Sequence, residues 1–168
     1  MNEPWKFHIK ERVRWGDVDA ARIIFYGAYI RFFEFAETEL FRSVGLSYSV
    51  MFDQLDVWLP RAHIDCDFYR AAQLDDLFDV AVFVGRIGNK SLQLNFEVRR
   101  DGETDLIAQA RFVLVTVRRD TFQSVPVPEE LRQRLAPYTR PESSGQIEPY
   151  KSGTNDEPPR TGMTKREP

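Results

Sequence analysis

At 168 residues, with 42% hydrophobic and 13% aromatic side chains, the chain suffices for one domain with a real core, one dominated by its 13 Phe. A net charge of -3 speaks against a nucleic-acid partner, because phosphate binding needs a concentrated positive face. The single cysteine excludes an intrachain disulfide. The polar start lacks an apolar signal core, and no run nears the roughly 18 apolar residues of a membrane span, so a cytoplasmic protein with no membrane partner is expected.

In chain order, a short opening strand is expected over residues 6–14. The stretch Val13 to Tyr29, VRWGDVDAARIIFYGAY, follows. Gly16 permits a sharp turn there, and Asp17 and Asp19 stand just ahead of an apolar run. Over residues 26–44, Tyr29, Phe33, Ala36, Leu40 and Val44 recur at three- and four-residue spacing, with Gly45 as a stop, which predicts a helix about 28 Å long. Its first half is so apolar that it should be buried on most sides. Residues 57–69 read as one strand in which Ile64, Cys66 and Phe68 alternate with His63, Asp65 and Asp67. Cys66 is then a buried, inert thiol, and the two aspartates are solvated surface.

Residues 78–84 (FDVAVFV) form the next strand, closed by Gly88-Asn89 as a hairpin turn. Leu92, Leu94, Phe96 and Val98 alternate with polar residues as its partner, and Asp101-Gly102 turns the chain again. Residues 106–117 read as one long central strand. Pro126 and Pro128 end the sheet, and residues 129–135 close it with a helical turn. From 139 to 168 the composition shifts to Pro, Ser, Gly, Thr and charges, too poor in apolar groups to offset ordering entropy. A disordered polar tail is expected there, after one domain at 1–138.

One long buried helix and about four mostly hairpin-linked strands describe an α+β unit, an antiparallel sheet wrapped around a central helix. A single sheet leaves an edge uncovered, and a two-fold pairing of sheets would close it. A homo-oligomer is therefore expected, with dimer and tetramer both open.

For the two aspartates, spacing alone leaves two readings. Asp is favoured at helix starts, where it meets unpaired amides and the positive dipole end. Asp19, however, lies some six residues upstream of the best helix start, which leaves its carboxylate available for chemistry.

The run Asp17, Asp19, Ile23, Ile24, Phe25, Tyr26 and Tyr29 resembles the 4-hydroxybenzoyl-coenzyme A thioesterase family of hotdog proteins, with its D-x-D-x-x-G, paired aliphatics, aromatic pair and later Tyr. The likeness extends through Leu74-Asp75-Asp76 and Gly88-Asn89-Lys90-Ser91 and covers about residues 8–120. It departs at Arg22, where the family has Gly, and at Ala28, where some relatives have Asn. The resemblance implies a hotdog fold and hydrolysis of acyl- or aryl-coenzyme A thioesters. Asp19 would act as nucleophile or general base, and a backbone amide near Tyr26 or Gly27 would polarise the carbonyl. Phe25, Trp58, Leu59 and Pro60 would line the acyl site, the last three from the partner subunit. Arg86, Lys90 and Ser91 would lie where relatives hold the phosphates of coenzyme A.

Arg22 admits two accounts: a clash with a Gly position that needs φ > 0, or a cation at the site mouth for an anionic group. Asp17 would orient the turn through backbone amides. No metal or cofactor is needed, since a thiolate leaves without strong acid catalysis and only His8 and His63 are available as histidines. Thioesters of acyl carrier protein are a variant substrate, and a non-catalytic module that binds acyl-coenzyme A is the alternative from a different class.

Overall fold

The computed structural model describes residues 3–140. Within them, the elements are β1 (Phe7–Arg12), α1 (Tyr29–Ser43), α2 (Tyr48–Val50), β2 (Val57–Trp58), β3 (Arg61–Phe68), β4 (Leu77–Ile87), β5 (Ser91–Arg100), β6 (Leu106–Val115), β7 (Val117–Arg118) and α3 (Glu129–Leu135). Five strands form one antiparallel sheet in the order β1-β4-β5-β6-β3, and β2 pairs with β7 in a separate two-stranded sheet.

The period-two alternation read along β5 places Leu92, Leu94, Phe96 and Val98 on the inner face, and the apolar run of β4 adds Phe78, Val80, Val82 and Val84 to it. Helix α1 lies across that face. Phe33 meets Phe96 and Phe112 with ring centroids 5.1 and 5.7 Å apart, and Phe32 meets Phe78 at 5.1 Å. These edge-on and tilted ring pairs fix how the helix sits on the sheet. The expectation of an antiparallel sheet around one long helix is met.

Four details differ from the sequence reading. The helix does not run unbroken from residue 26: Tyr26–Ala28 is a single 3₁₀ turn, and α1 begins at Tyr29. Nor is its start buried on most sides, because Phe25, Tyr26 and Ile30 are exposed, turned away from the sheet. The strand expected over 57–69 is two strands. Pro60 lacks the N–H that a continuous ladder needs, and the register shifts between Arg61 and His63. The run at 106–117 divides likewise at Thr116, and its second part leaves the main sheet to pair with β2.

Two features of the sheet position everything that follows. Its ends are far apart: on β4, Leu77 lies opposite Arg12 and Ile87 opposite Leu92, so the strand's eleven residues reach about 33 Å. Its β3 edge pairs with no further strand among the described residues. Ile64 and Phe68 lie opposite Phe112 and Ala108, on the helix-bearing face, yet stay 43% and 49% exposed.

The tail expected over 139–168 falls outside the described residues from 141 onward. Thr139 and Arg140 dock on β4: Thr139 bridges to Val84, and the Arg140 N–H donates to the Val84 carbonyl over 2.9 Å. No helix among the described residues is long and apolar enough to cross a membrane.

Candidate active site

The connection between β1 and α1 is a small, heavily bonded loop. Val18 and Ile24 form an isolated antiparallel bridge, so residues 19–23 are its tip. The Ile24 N–H donates to the Ala72 carbonyl over 2.8 Å, which ties the loop base to the chain beyond β3. Gln73 and Arg100 in turn hold the Asp76 carboxylate, each over 2.9 Å, so the Asp75-Asp76 match serves as scaffold.

The two aspartates have separate fates. Asp17 is only 5% exposed. Its carboxylate accepts the Arg14 N–H over 2.7 Å and is gripped by both arms of Arg31 from α1, one bond being Nε to Oδ1 over 3.1 Å. Its carbonyl accepts the Phe25 N–H over 2.8 Å. Asp17 therefore pins both ends of the loop and the helix together, the orienting role expected of it.

Asp19 is exposed at the tip. Its Oδ1 accepts the Ala21 N–H over 2.8 Å, while its own N–H donates to the Ile23 carbonyl over 3.0 Å. Its Oδ2 has no protein donor among the described residues. Neither aspartate caps α1, whose flanking residue is Ala28 with no side-chain bond. The capping reading is excluded.

Arg22 answers the first of its two accounts, the one about backbone shape. It takes the left-handed backbone, φ 62°, where the resemblance implies glycine, so the loop keeps the shape a glycine would give it. Its side chain is exposed and makes no ion pair among the described residues.

After the loop, the chain turns into the helix through Tyr26–Ala28. The leading N–H groups of such a turn have no intrahelical acceptor and point at whatever lies before them. A Cβ on Gly27 would stand 2.4 Å from the Phe25 ring, so only glycine lets that ring fold over the turn. Phe25 and Tyr26 themselves touch, with ring centroids 4.3 Å apart. Thus the loop tip and the helix start after it present, within nine residues of chain, an exposed carboxylate at Asp19, an exposed cation at Arg22, the rings of Phe25 and Tyr26, and the leading backbone donors of the turn.

The other residues singled out from sequence lie at the opposite end of the sheet. Arg86 and Ser91 line an open depression of about 350 Å³ with Gly88, Asn89, Gln93 and Val113. Lys90 does not line it; its ammonium donates to the Ser124 carbonyl and hydroxyl over 3.1 and 3.3 Å. Trp58 packs edge-on against Phe122 at 5.7 Å, Leu59 is buried in the core, and the Pro60 carbonyl accepts the Val115 N–H. Arg61, next in line, pairs with Leu114, which faces Leu92, so this segment belongs to the hairpin end. The two ends of β4 are about 33 Å apart, with the loop site toward one end and the hairpin depression at the other.

A family model described as the thioesterase-like superfamily matches residues 13–135, from the end of β1 through α3. The chain belongs to that superfamily. The acyl-CoA thioesterase YbgC of Haemophilus influenzae is 26% identical over 126 residues, 75% of this chain and 91% of that protein. A 1,4-dihydroxy-2-naphthoyl-CoA hydrolase of Crocosphaera subtropica is 22% identical over 125 residues, 74% and 84% of the two chains. Among solved structures, a 1,4-dihydroxy-2-naphthoyl-CoA thioesterase of Synechocystis superposes with a TM-score of 0.72 at 19% identity, covering 78% of this chain and 96% of that one. The fold is the hotdog, and the superfamily makes the chain a thioester hydrolase.

One buried group escaped the sequence reading. Glu37 of α1 is 0% exposed; its Oε1 accepts from the Tyr48 hydroxyl and, over 2.8 Å, from Arg61, while Oε2 has no partner. Burial raises its carboxyl above the ordinary 4.5, against the opposing pull of Arg61 and Tyr48. The signal lay in the spacing: Glu37 falls four residues after Phe33 and three before Leu40, inside the apolar stripe. Cys66, expected to be buried, is only partly so, yet burial still pushes its thiol up to about 12.

Proposed function

We propose that the chain hydrolyses acyl- or aryl-coenzyme A thioesters to the free acid and coenzyme A, in a site shared between two copies. The observation that carries this reading is the pairing of Asp19, one oxygen unpartnered, with the glycine-floored helix start at Tyr26 and Gly27. Hydrolysis builds negative charge on the thioester oxygen, and backbone donors at a helix start stabilise that charge where it develops. Asp19 either attacks the carbonyl carbon or takes a proton from a water that does. The C–S bond then breaks, and coenzyme A leaves as a thiolate that is protonated from solvent. If Asp19 attacks, water cleaves the resulting anhydride. Arg22 and Phe25 flank the acyl group.

Coenzyme A is long and its two ends need different partners. The Arg86, Lys90 and Ser91 hairpin lies at the far end of the sheet, about 33 Å along β4, and cannot serve the Asp19 of its own chain. Pairing the β3 edges about a two-fold axis brings the hairpin end of one copy toward the loop end of the other. The same pairing carries Trp58, Leu59 and Pro60 of the second copy to the acyl side and covers Ile64 and Phe68. A cytoplasmic setting fits a coenzyme A substrate.

The test is thiol release from a panel of acyl- and aryl-coenzyme A esters, with acyl carrier protein esters alongside. Wild type should turn over at least one member, and Asp19→Asn should lose about 10²-fold or more in kcat, the size expected for removing a catalytic base. A wild type that binds coenzyme A esters and cleaves none is a binding module instead.

A further inference from the structure

Glu37, Tyr48 and Arg61 take no part in the reaction proposed above, yet they form the most confined polar cluster on α1. The Glu37 Oε2 is enclosed without a donor among the described residues, a state that costs free energy. The cluster is not sealed: the Arg61 side chain is 33% exposed, and Tyr48 is partly exposed on the three-residue α2.

Its position is informative. Tyr29, at the start of α1, meets Phe68, at the end of β3, with centroids 5.0 Å apart. Glu37, two turns along α1, meets Arg61, at the start of β3. Helix and strand thus run antiparallel, with one contact near the loop site and the other at the cluster. Along the two elements between these contacts, the half-exposed Ile30 of α1 and Ile64 of β3 present apolar side chains, with Phe33 buried beneath. Glu37 is ten residues beyond Gly27, roughly 15 Å along the helix axis.

We propose that this cluster ends the acyl site and binds a hydroxyl at the far end of an extended acyl chain. The inference rests on the thioesterase reading above for the place of the thioester. The chemistry selects a hydroxyl because it donates and accepts at once: it gives its proton to Glu37 Oε2 and accepts from the unused N–H groups of Arg61. A terminal carboxylate would face the Glu37 charge, and a terminal ammonium would face Arg61. An extended lauroyl chain has the required length, whereas a single aromatic ring at the thioester falls short of the cluster.

The experiment compares non-hydrolysable thioether analogues of lauroyl-coenzyme A and ω-hydroxylauroyl-coenzyme A by calorimetric titration of the full chain. Wild type should bind the hydroxylated analogue about 10-fold tighter or more, the size of a hydrogen bond to a charged group. Glu37→Leu should bring that ratio to about one while still binding the plain analogue. Equal affinities in wild type, or binding of neither analogue, overturn the inference whether or not the variant folds. Cleavage of lauroyl-coenzyme A itself is measured separately. If neither thioester is cleaved but the wild-type preference holds, the thioesterase reading falls and the cluster stands. If both are cleaved with equal affinity, the reverse is true and the cluster is a structural ion pair.

Discussion

Asp17 and Asp19 stand two residues apart in one loop and could hardly be treated more differently. Asp17 is enclosed, gripped by Arg31 and the Arg14 amide, and holds the chain on both sides of the loop. Asp19 is exposed at the tip, its carboxylate accepting from the Ala21 amide two residues on, with the other oxygen unpartnered among the described residues. A carboxylate whose acceptors are already satisfied gives rigidity and has little left for a substrate. One with an open oxygen on a rigid loop has the reverse profile. The first holds the second in place, and the division of labour should be visible when each is changed alone.

The largest effect should follow Asp19→Asn. Beside the loss in kcat of about 10²-fold already expected, its melting temperature should stay close to that of wild type, because the side chain buries nothing and its Oδ1 bond to Ala21 survives in Asn. Asp17→Asn should do the opposite. It leaves Arg31 facing a neutral amide in a largely enclosed site, so stability should fall by about 2–3 kcal/mol, discounted from a fully buried pair because Arg31 is partly exposed. Thermal unfolding should register a drop on the order of 5–10 °C. If Asp19→Asn melts early, or Asp17→Asn keeps full stability, the two roles are not separable.

How far this was legible in the sequence depends on which interactions are local. The apolar runs of β4 and β6, the alternation of β5, the stripe of α1 and the closing helix at Glu129–Leu135 all follow from patterns within a few residues, and all are found. The breaks at Pro60 and Thr116 were not, because each comes from β2 and β7 pairing with each other across sixty residues of chain. In the loop, the expectation that Asp17 orients the turn is met. The Arg31 grip was invisible, since it joins positions fourteen apart in different elements. Glu37 was not legible as a paired group because its partners Tyr48 and Arg61 lie eleven and twenty-four positions away. The exposed start of α1 has a plainer cause: an apolar run does not say whether its own sheet or another surface covers it.

Arg22 sharpens the comparison by testing what the loop's shape is worth. Its left-handed backbone strains a side-chain-bearing residue, so Arg22→Gly should raise stability by about 0.5–1 kcal/mol if strain dominates over the extra freedom of glycine when unfolded. Because Arg22 also faces solvent beside Asp19, the same variant should raise KM for coenzyme A esters with little change in kcat. Unaltered KM would leave Arg22 as a tolerated replacement without a role in binding.

The smallest effect concerns a third carboxylate, which shares the burial of Asp17 and the open oxygen of Asp19. Burial holds the Glu37 carboxyl above 4.5, so the folded state keeps its proton more tightly than the unfolded chain does. Its contribution to stability is complete below that ordinary value and is lost as pH rises through the raised one. Glu37→Gln removes the titration, so the stability of the variant relative to wild type should increase as pH rises above the ordinary 4.5. Glu97 works in the opposite sense: burial alone would raise it, but Lys6 and Arg99 hold it below its usual range. That group is the same in both proteins and cancels in the difference. Denaturant unfolding of both across this range gives the answer directly. A constant difference would mean that Arg61 and Tyr48 fully compensate the burial of Glu37, and the unpartnered oxygen would then mark no unmet demand at the end of the acyl site.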